Sequence, residues 1–243
     1  MHASEPILRL RDLAIHAGSR TLLQGVALDL AAGDVLLVLG ATGAGKSTLL
    51  DAVSGMSRHR VEGTVQLGGA DLLRMTPARV ATERRTRLGV LPQDLRAAFT
   101  PYRRIGSQLL ESLGPARDAV RGRLEALLPR MALAPWPLLG RFPCQVSDGM
   151  LRRAALAGVL ARGPALIVAD EPTAGLDGPG RWRAWELLIE SGASVLAATH
   201  DVALAAALCR LPAAGPGHPA SRIRAVRVLD GRVVEVPRLE GGG

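Results

Sequence analysis

The sequence predicts an α/β fold in which a parallel sheet is combined with an antiparallel β subdomain and a helical subdomain. Continuous apolar runs, which are typical of buried parallel strands, occur at Val35–Leu39, Ala165–Ala169 and Ser194–Ala198. Apolar and polar residues alternate in Ile7–Ile15 and Thr21–Leu30, which predicts an antiparallel layer beside the first parallel strand. From Ile105 to Met131 apolar residues recur at helical spacing.

Local signals predict the remaining elements in chain order. Short strands are expected at Gly63–Leu67 and Leu88–Leu91. Thr76 before Pro77 is a typical helix start and predicts a helix over Pro77–Thr86, and Ser147 is expected to cap a helix that runs to about Ala161. Further helices are predicted at Trp182–Ile189 and Val202–Leu208, and a hairpin at Ile223–Leu229 and Arg232–Val236 across Asp230–Gly231.

Glycine and proline mark the expected breaks between these elements. Gly114–Pro115 is expected to separate two helices, and Pro135–Pro137 to interrupt the chain again. Residues 211–221 are predicted to form a loop and residues 241–243 a frayed tail. The whole chain, residues 1–243, is interpreted as a single domain, with a core at 1–94 and 162–243 and a helical subdomain at about 95–161.

Composition favours a cytosolic protein. No apolar run approaches the ~20 residues of a membrane span, and residues 1–6 lack the basic start and apolar block of a signal peptide. Cys144 and Cys209 have no metal-binding spacing and are expected to be reduced thiols.

The net charge of +8 comes from scattered arginines, and only 2 % of residues are aromatic. A concentrated basic groove or stacking platform is therefore missing from the sequence, and we expect no nucleic-acid partner. The alternative is that these arginines contact an anionic membrane surface.

A glycine-rich loop with a single lysine follows the first buried strand. Its residues, which match the P-loop pattern G-x-x-x-x-G-K-[ST], are Gly40, Ala41, Thr42, Gly43, Ala44, Gly45, Lys46, Ser47 and Thr48. Backbone N–H groups of such a loop, together with the start of the following helix, surround phosphate groups. Lys46, the only lysine in the chain, is expected to reach the terminal phosphates, and the Ser47 hydroxyl to ligate Mg²⁺.

Two carboxylates follow the next buried strand. Asp170 emerges at the carboxyl end of Ala165–Ala169, where ligands bind in open α/β sheets, and it is predicted to be an acid that holds the metal. The side chain of Glu171, the next residue, is expected to point in a different direction from that of Asp170. It is predicted to act as general base or to orient the attacking water.

These motifs together resemble the ATP-binding subunits of ABC transporters. The likeness rests on the P-loop, Asp170–Thr173, Ala174–Asp177 and His200 after a buried strand, and it spans about Leu8 to Glu235. It implies ATP and Mg²⁺ as ligands, Gln93 as the Q-loop glutamine near Mg²⁺ and the membrane subunit, and His200 as the switch histidine at the γ-phosphate. It further implies a D-loop at Ala174–Asp177 that crosses a dimer interface.

The resemblance also implies partner proteins and a subcellular location. We expect a second homologous ATPase subunit, in a dimer that is hetero rather than homo, two membrane permease subunits and, indirectly, a solute-binding protein. The chain is then expected at the cytoplasmic face of the inner (cell) membrane.

The signature segment departs from the family pattern Leu-Ser-Gly-Gly-Gln. Here it reads Val146-Ser147-Asp148-Gly149-Met150, in which Ser147 and Gly149 can still meet a phosphate at a helix N-terminus. Asp148 replaces a glycine, and its carboxylate would face the γ-phosphate of ATP that the partner subunit holds. We therefore expect the ATP site completed by this segment to be weak. The alternative is that Asp148 turns outward without effect.

Two further comparisons with the family concern the adenine site and the importer class. Ala17 stands where the family often places an aromatic ring under adenine, and His16 is a candidate substitute. Residues 92–111 resemble the peptide/nickel class of importers, and Met150-Leu151 resembles the nickel-import "D"-type ATPase. Dipeptide and oligopeptide importers are also compatible with these residues.

Two functions outside import are compatible with the same motifs. One is a soluble accessory ABC ATPase of an enzyme complex, such as one of phosphonate metabolism. The second is a non-hydrolysing ATP-binding clamp, which the presence of Glu171 and His200 argues against.

Overall fold

The structure, a computed structural model, describes residues 5–111, 117–211 and 222–236. The strands are β1 Leu8–Ala17, β2 Arg20–Leu30, β3 Val35–Leu39, β4 Arg60–Leu67, β5 Ala70–Asp71, β6 Leu88–Leu91, β7 Leu166–Asp170, β8 Ser194–Ala198, β9 Ile223–Leu229 and β10 Arg232–Glu235. The α-helices are α1 Lys46–Val53, α2 Pro77–Thr86, α3 Leu95–Ala98, α4 Ile105–Leu109, α5 Arg117–Arg130, α6 Pro135–Leu138, α7 Asp148–Arg162, α8 Gly178–Glu190 and α9 Val202–Cys209.

The strands form two sheets. One is antiparallel, in the order β2-β1-β4-β5, and confirms the antiparallel layer that the alternating runs predict. The other has the order β10-β9-β3-β8-β7-β6 and is parallel except for β10, which pairs with β9 as the predicted hairpin. The carboxyl ends of β3, β7 and β8, which precede the predicted site residues, therefore meet at one edge of this sheet.

Strand β3 is buried on both faces because it separates two hydrophobic cores. Leu36 and Val38 pack with the antiparallel sheet and α1. Val35, Leu37 and Leu39 point the other way and pack with the helices on the opposite face. This double burial explains why the strand is a continuous apolar run instead of an alternating one.

A β-bulge shifts the alternation in β1. Leu8 and Leu10 are fully buried, and beyond the bulge so are Leu13 and Ile15, which lie at odd rather than even positions. Between them Asp12 adopts a positive φ of 47°, and the pairing with β2 and β4 changes register. The extra residue keeps the apolar side chains of both halves on the buried face.

The predicted starts of α2, α7 and α9 are confirmed, but α8 begins at Gly178, four residues before the predicted Trp182. Thr76 caps α2 by accepting a hydrogen bond from the Arg79 N–H at 3.4 Å. Ser147 caps α7 in the same way, accepting from the Met150 N–H at 3.2 Å. The start predicted for β4 is three residues too late. The proline-rich segment predicted as a break contains the short helical turn α6, in which Trp136 has non-helical angles.

The described part of residues 95–161 is built from helices. Buried apolar residues of α5, namely Val120, Leu124 and Leu128, belong to the same core as α7. The predicted division at Gly114–Pro115, most of the predicted loop at 211–221 and the predicted tail at 241–243 lie outside the described residues. Across the described ranges, no helix combines the length and the apolar character that crossing a membrane requires.

Candidate active site

The glycine-rich loop lies between β3 and α1 and folds round its own lysine. Lys46, only 8 % exposed, donates from Nζ to the carbonyl oxygens of Gly40 at 2.8 Å and Ala41 at 3.0 Å. Gly45 has φ 107°, which favours glycine, and it precedes α1 without any side-chain cap. The first N–H groups of α1 thus have no capping side chain, as an anion site at a helix start requires.

A cavity of about 990 Å³ opens over this loop. Its lining consists of residues 39–48, His200 and Val202, and residues 20–22 and 227–231. The volume is close to the upper end of the roughly 300–1,000 Å³ that small-molecule sites occupy. The structure therefore brings all nine predicted P-loop residues together with the predicted histidine at one site.

The predicted metal ligands Ser47 and Asp170 are neighbours. Asp170 is 9 % exposed at the end of β7, and the Ser47 hydroxyl is close enough to act on the pKa of its carboxylate. Burial raises the pKa of Asp170, with the Ser47 hydroxyl and the charge of Lys46 opposing this shift. A hydroxyl and a buried carboxylate are the few protein oxygens that Mg²⁺ uses when substrate phosphates supply further ligands. The donor set fits Mg²⁺, whose charge would offset that of the phosphates.

Glu171 and His200 form a pair at the ends of the neighbouring strands β7 and β8. Glu171 Oε1 lies 2.9 Å from the His200 backbone N–H and 2.6 Å from His200 Nδ1, while Thr199 Oγ1 donates to Oε2 at 3.3 Å. The carboxylate is buried, but the imidazole is 70 % exposed. Glu171 is therefore held in place by β8, and His200 reaches from it into the cavity.

The signature residues Ser147 and Gly149 lie elsewhere, at the start of α7 and outside the lining of the cavity. Gly149 packs against the following segment: a Cβ there would come within 3.3 Å of the Gly175 carbonyl. Asp148 is 80 % exposed and forms an ion pair with Arg96, with 2.6 Å between Arg96 Nε and Oδ1. Arg96 also donates to the Val146 carbonyl at 2.7 Å. The carboxylate that the sequence predicts to face a phosphate is thus paired with a cation.

Comparison with known proteins decides the family. The model of the ABC transporter family matches residues 23–174. The chain belongs to the ABC transporter family.

Relatives of this ABC ATPase include proteins with different roles. It is 38 % identical over 206 residues to the aliphatic sulfonates import ATP-binding protein SsuB 2 of Streptomyces avermitilis, covering 82 % of this chain and 72 % of that protein. It is 34 % identical to the cell division ATP-binding protein FtsE of Escherichia coli K12, covering 78 % and 85 %. It is 30 % identical to the oligopeptide transport ATP-binding protein OppD of Lactococcus lactis, covering 84 % and 65 %.

Solved structures share the fold. The ATP-binding cassette MJ0796, solved as a dimer in a post-hydrolysis state with ADP and Pi, superposes with a TM-score of 0.78 at 23 % identity, covering 97 % of this chain and 100 % of that one. CbiO1 from Clostridium perfringens superposes with a TM-score of 0.73 at 25 % identity, covering 95 % and 88 %. The predicted α/β cassette with antiparallel and helical parts is confirmed. This chain is an ATPase that uses ATP and Mg²⁺.

Asp170 and Glu171 are buried and lie outside the cavity lining, and a further predicted site residue outside the lining is Gln93. Its side chain is exposed and lies outside the cavity lining, and its backbone carbonyl accepts a hydrogen bond from Arg152 at 2.7 Å. The predicted role of Gln93 at Mg²⁺ stays a prediction.

The cavity lining outside the P-loop includes arginine and aliphatic side chains, together with Thr21 and Asp230. Arg20, Leu22, Arg227 and Leu229 lie there. Arg20 pairs across the hairpin with Ala17, so both side chains lie on one face. His16, the candidate substitute for an aromatic ring, is outside this lining and has its Nδ1 3.1 Å from Thr21 Oγ1.

Substituting tyrosine for Ala17 is expected to strengthen ATP binding, because stacking of a base on an aromatic ring contributes roughly 1–3 kcal/mol. The expected gain is about fivefold or more. Titration calorimetry with ATP, and with inorganic tripolyphosphate as a ligand without a base, measures it. Ala17→Leu is the control of similar bulk without a ring. An equal gain for tripolyphosphate, or for Ala17→Leu, would contradict stacking.

Sequence reasoning missed the arginines of the site. Arg20 lines the cavity, Arg152 bonds to the Glu171 carbonyl, and Arg96 pairs with Asp148 of the signature segment. In the sequence these arginines belong to a scattered basic surplus. Sequence reasoning also missed Thr199, which donates to Glu171. Thr199 directly precedes the predicted His200 at the end of β8, and this position could have indicated that it lies at the site.

Proposed function

We propose that this chain is the ATP-hydrolysing nucleotide-binding subunit of an ABC importer. It would bind ATP and Mg²⁺ and close as a dimer with a homologous ATPase subunit, whose signature segment would contact the γ-phosphate. Closure would drive two permease subunits at the cytoplasmic face of the membrane, supplied by a solute-binding protein. One observation carries this proposal: the cavity holds the P-loop and His200, while Ser147 and Gly149 lie on a separate surface. Such a half-site needs a second subunit.

The mechanism follows from the positions of the side chains. Lys46 and the loop N–H groups would hold the phosphates, and Ser47 with Asp170 would hold Mg²⁺. Glu171, buried next to this group, would orient and deprotonate the attacking water, with His200 aligning its carboxylate. Catalysis of this kind depends on positioning and on stabilising charge at the γ-phosphate.

For the solute we propose a nickel or metal-chelate compound or a peptide. The support is the likeness of residues 92–111 and Met150-Leu151 to importers of that class, together with the oligopeptide relative. The chain spans about two thirds of that relative's length. The sulfonate-import relative favours import in general but a different solute.

Isolation of the tagged chain from membranes tests the importer proposal. We expect integral permeases to co-purify, and uptake of radioactive nickel or of a labelled peptide by the cells to stop when Lys46 is replaced by alanine. Recovery of the chain only with soluble enzymes would instead support the accessory ATPase. Normal uptake of both solutes in the Lys46→Ala strain would contradict the proposed solute class.

The Arg96–Asp148 ion pair gives a prediction for the partner's site. Arg96→Ala is expected to lower the ATPase rate of the assembled complex several-fold, because it leaves the Asp148 carboxylate without its cation near the partner's γ-phosphate. Asp148→Gly in the same chain is expected to restore part of the rate, since it removes the repulsion but not the loss of the Arg96 hydrogen bonds to the Pro143 and Val146 carbonyls. Phosphate release measures both. Arg103→Ala, which breaks an exposed ion pair with Glu111, is the control. Failure of Asp148→Gly to restore activity would contradict this account.

A further inference from the structure

A buried arginine joins three segments of the site. Arg152, near the start of α7, is only 9 % exposed. Its Nη1 donates to the Glu171 backbone carbonyl at 2.8 Å, and its Nη2 donates to the Gln93 backbone carbonyl at 2.7 Å. These carbonyls belong to the turns that follow the paired strands β7 and β6. One side chain therefore connects the signature helix to the Gln93 loop and to the backbone of Glu171, whose side chain is the proposed catalytic carboxylate.

The charge of this side chain is costly to bury. Burial lowers the pKa of Arg152, while the charges of Glu171, Asp148, Asp170 and Asp94 favour its protonated form. Its hydrogen bonds nevertheless go to backbone carbonyls, which fixes the main chain of two turns. A buried cation placed in this way holds backbone geometry. Its removal withdraws a charged donor from the Gln93 carbonyl and from the Glu171 carbonyl, which keeps the hydrogen bond from the Ala174 N–H at 3.1 Å.

Glu171 needs such support because its backbone is strained. Its φ of 50° lies in the left-handed region, which a residue with a side chain adopts only when its surroundings hold it there. Its N–H donates to the Ala198 carbonyl at 3.0 Å, and its side chain bonds to His200. The bond from Arg152 is the one that reaches its carbonyl from the helical part of the chain.

We propose that Arg152 is a positioning residue for Glu171, which makes the Gln93 loop, the start of the signature helix and the hydrolytic carboxylate move as one unit. Where the Gln93 loop contacts a membrane partner, as the proposed function holds, a shift of that loop then reaches Glu171 through the Arg152 guanidinium. Hydrolysis is thereby coupled to the position of the Gln93 loop without any change in the phosphate-binding loop.

The matched comparison is Arg152→Ala against Arg162→Ala. Arg162 lies at the other end of α7, is half-buried and donates to the Arg85 carbonyl at 2.7 Å, away from the site. In the chain alone, hydrogen exchange of the peptide amides at 93–98 and 171–176 is expected to rise in Arg152→Ala but not in Arg162→Ala. In the assembled complex, kcat is expected to fall about tenfold to a hundredfold in Arg152→Ala, since a small misplacement of a catalytic group has an effect of that size. The dissociation constant of ATP should stay within about twofold in both variants, because neither touches the P-loop.

Arg152→Lys keeps the charge but cannot present two N–H groups in a fixed fork, and it is expected to recover only part of kcat. This variant also serves if Arg152→Ala fails to fold. Equal kcat and equal amide exchange in the Arg152 and Arg162 variants would overturn the proposal. Absence of ATP binding by the unmodified chain would instead contradict the proposed function, so the two failures are distinguishable.

Discussion

Replacing Lys46 by alanine is expected to abolish ATP binding at ordinary nucleotide concentrations. Lys46 is 8 % exposed, and its ammonium group is held at the loop by the Gly40 and Ala41 carbonyls. Loss of a buried charged contact of this kind costs roughly 2–5 kcal/mol, which lowers affinity from about thirtyfold to several thousandfold. Titration calorimetry with ATP and Mg²⁺ measures the effect.

The sequence offers a second form of this test without mutation. Lys46 is the only lysine of the chain, so a mild amine-reactive reagent has this side chain and the chain's amino terminus as its amine targets. ATP with Mg²⁺ should protect Lys46 from labelling, which peptide mapping detects.

Lys46→Arg is expected to bind ATP poorly, since a planar guanidinium is not equivalent to a compact ammonium. Unchanged ATP affinity of Lys46→Ala would refute the phosphate-site assignment.

Replacing Glu171 by glutamine is expected to lower ATP hydrolysis about 10²- to 10⁴-fold while ATP binding persists. The amide retains the shape and an oxygen near His200, but it cannot take a proton from water. Phosphate release under multiple-turnover conditions measures the loss, and calorimetry measures the binding.

Glu186→Gln is the matched control for this prediction. Glu186 is an exposed carboxylate on α8 that forms an ion pair with Arg183 at 3.8 Å, and it lies outside the cavity lining. We expect this variant to hydrolyse ATP at the rate of the unmodified chain. If Glu171→Gln also did so, a different group would have to activate the water.

Much of the fold is predictable because local pattern and tertiary environment agree. The continuous run Val35–Leu39 predicts a strand buried on both faces, and the structure packs a core against each face. The bulge in β1 could not be predicted, since it depends on a distant glycine. A Cβ on Gly63 would come within 2.5 Å of the Asp12 carbonyl, so the close approach of β4 requires glycine there.

The residues of the site likewise fall into some that the sequence predicts and others that it does not. The positions of Lys46, Asp170 and His200 follow from the ends of consecutive parallel strands, which share one edge of the sheet. Arg96 and Arg152 could not be predicted, because Arg96 pairs with a residue 52 positions away and Arg152 bonds to one 59 positions away. No local pattern encodes such packing. The ion pair between Arg96 and Asp148 could not be predicted for the same reason, and the expectation that Asp148 faces a partner's phosphate stays a prediction.

The dependence of ATP hydrolysis on protein concentration tests the central claim most directly. The cavity holds the P-loop and His200 but neither of the signature residues Ser147 and Gly149, so hydrolysis should require a second subunit. The rate per chain is therefore expected to rise with concentration, or when the homologous ATPase subunit is added. With Glu171→Gln in the site under study it is expected to fall about 10²- to 10⁴-fold. A rate per chain that stays constant down to concentrations at which the chain is a monomer would contradict the account.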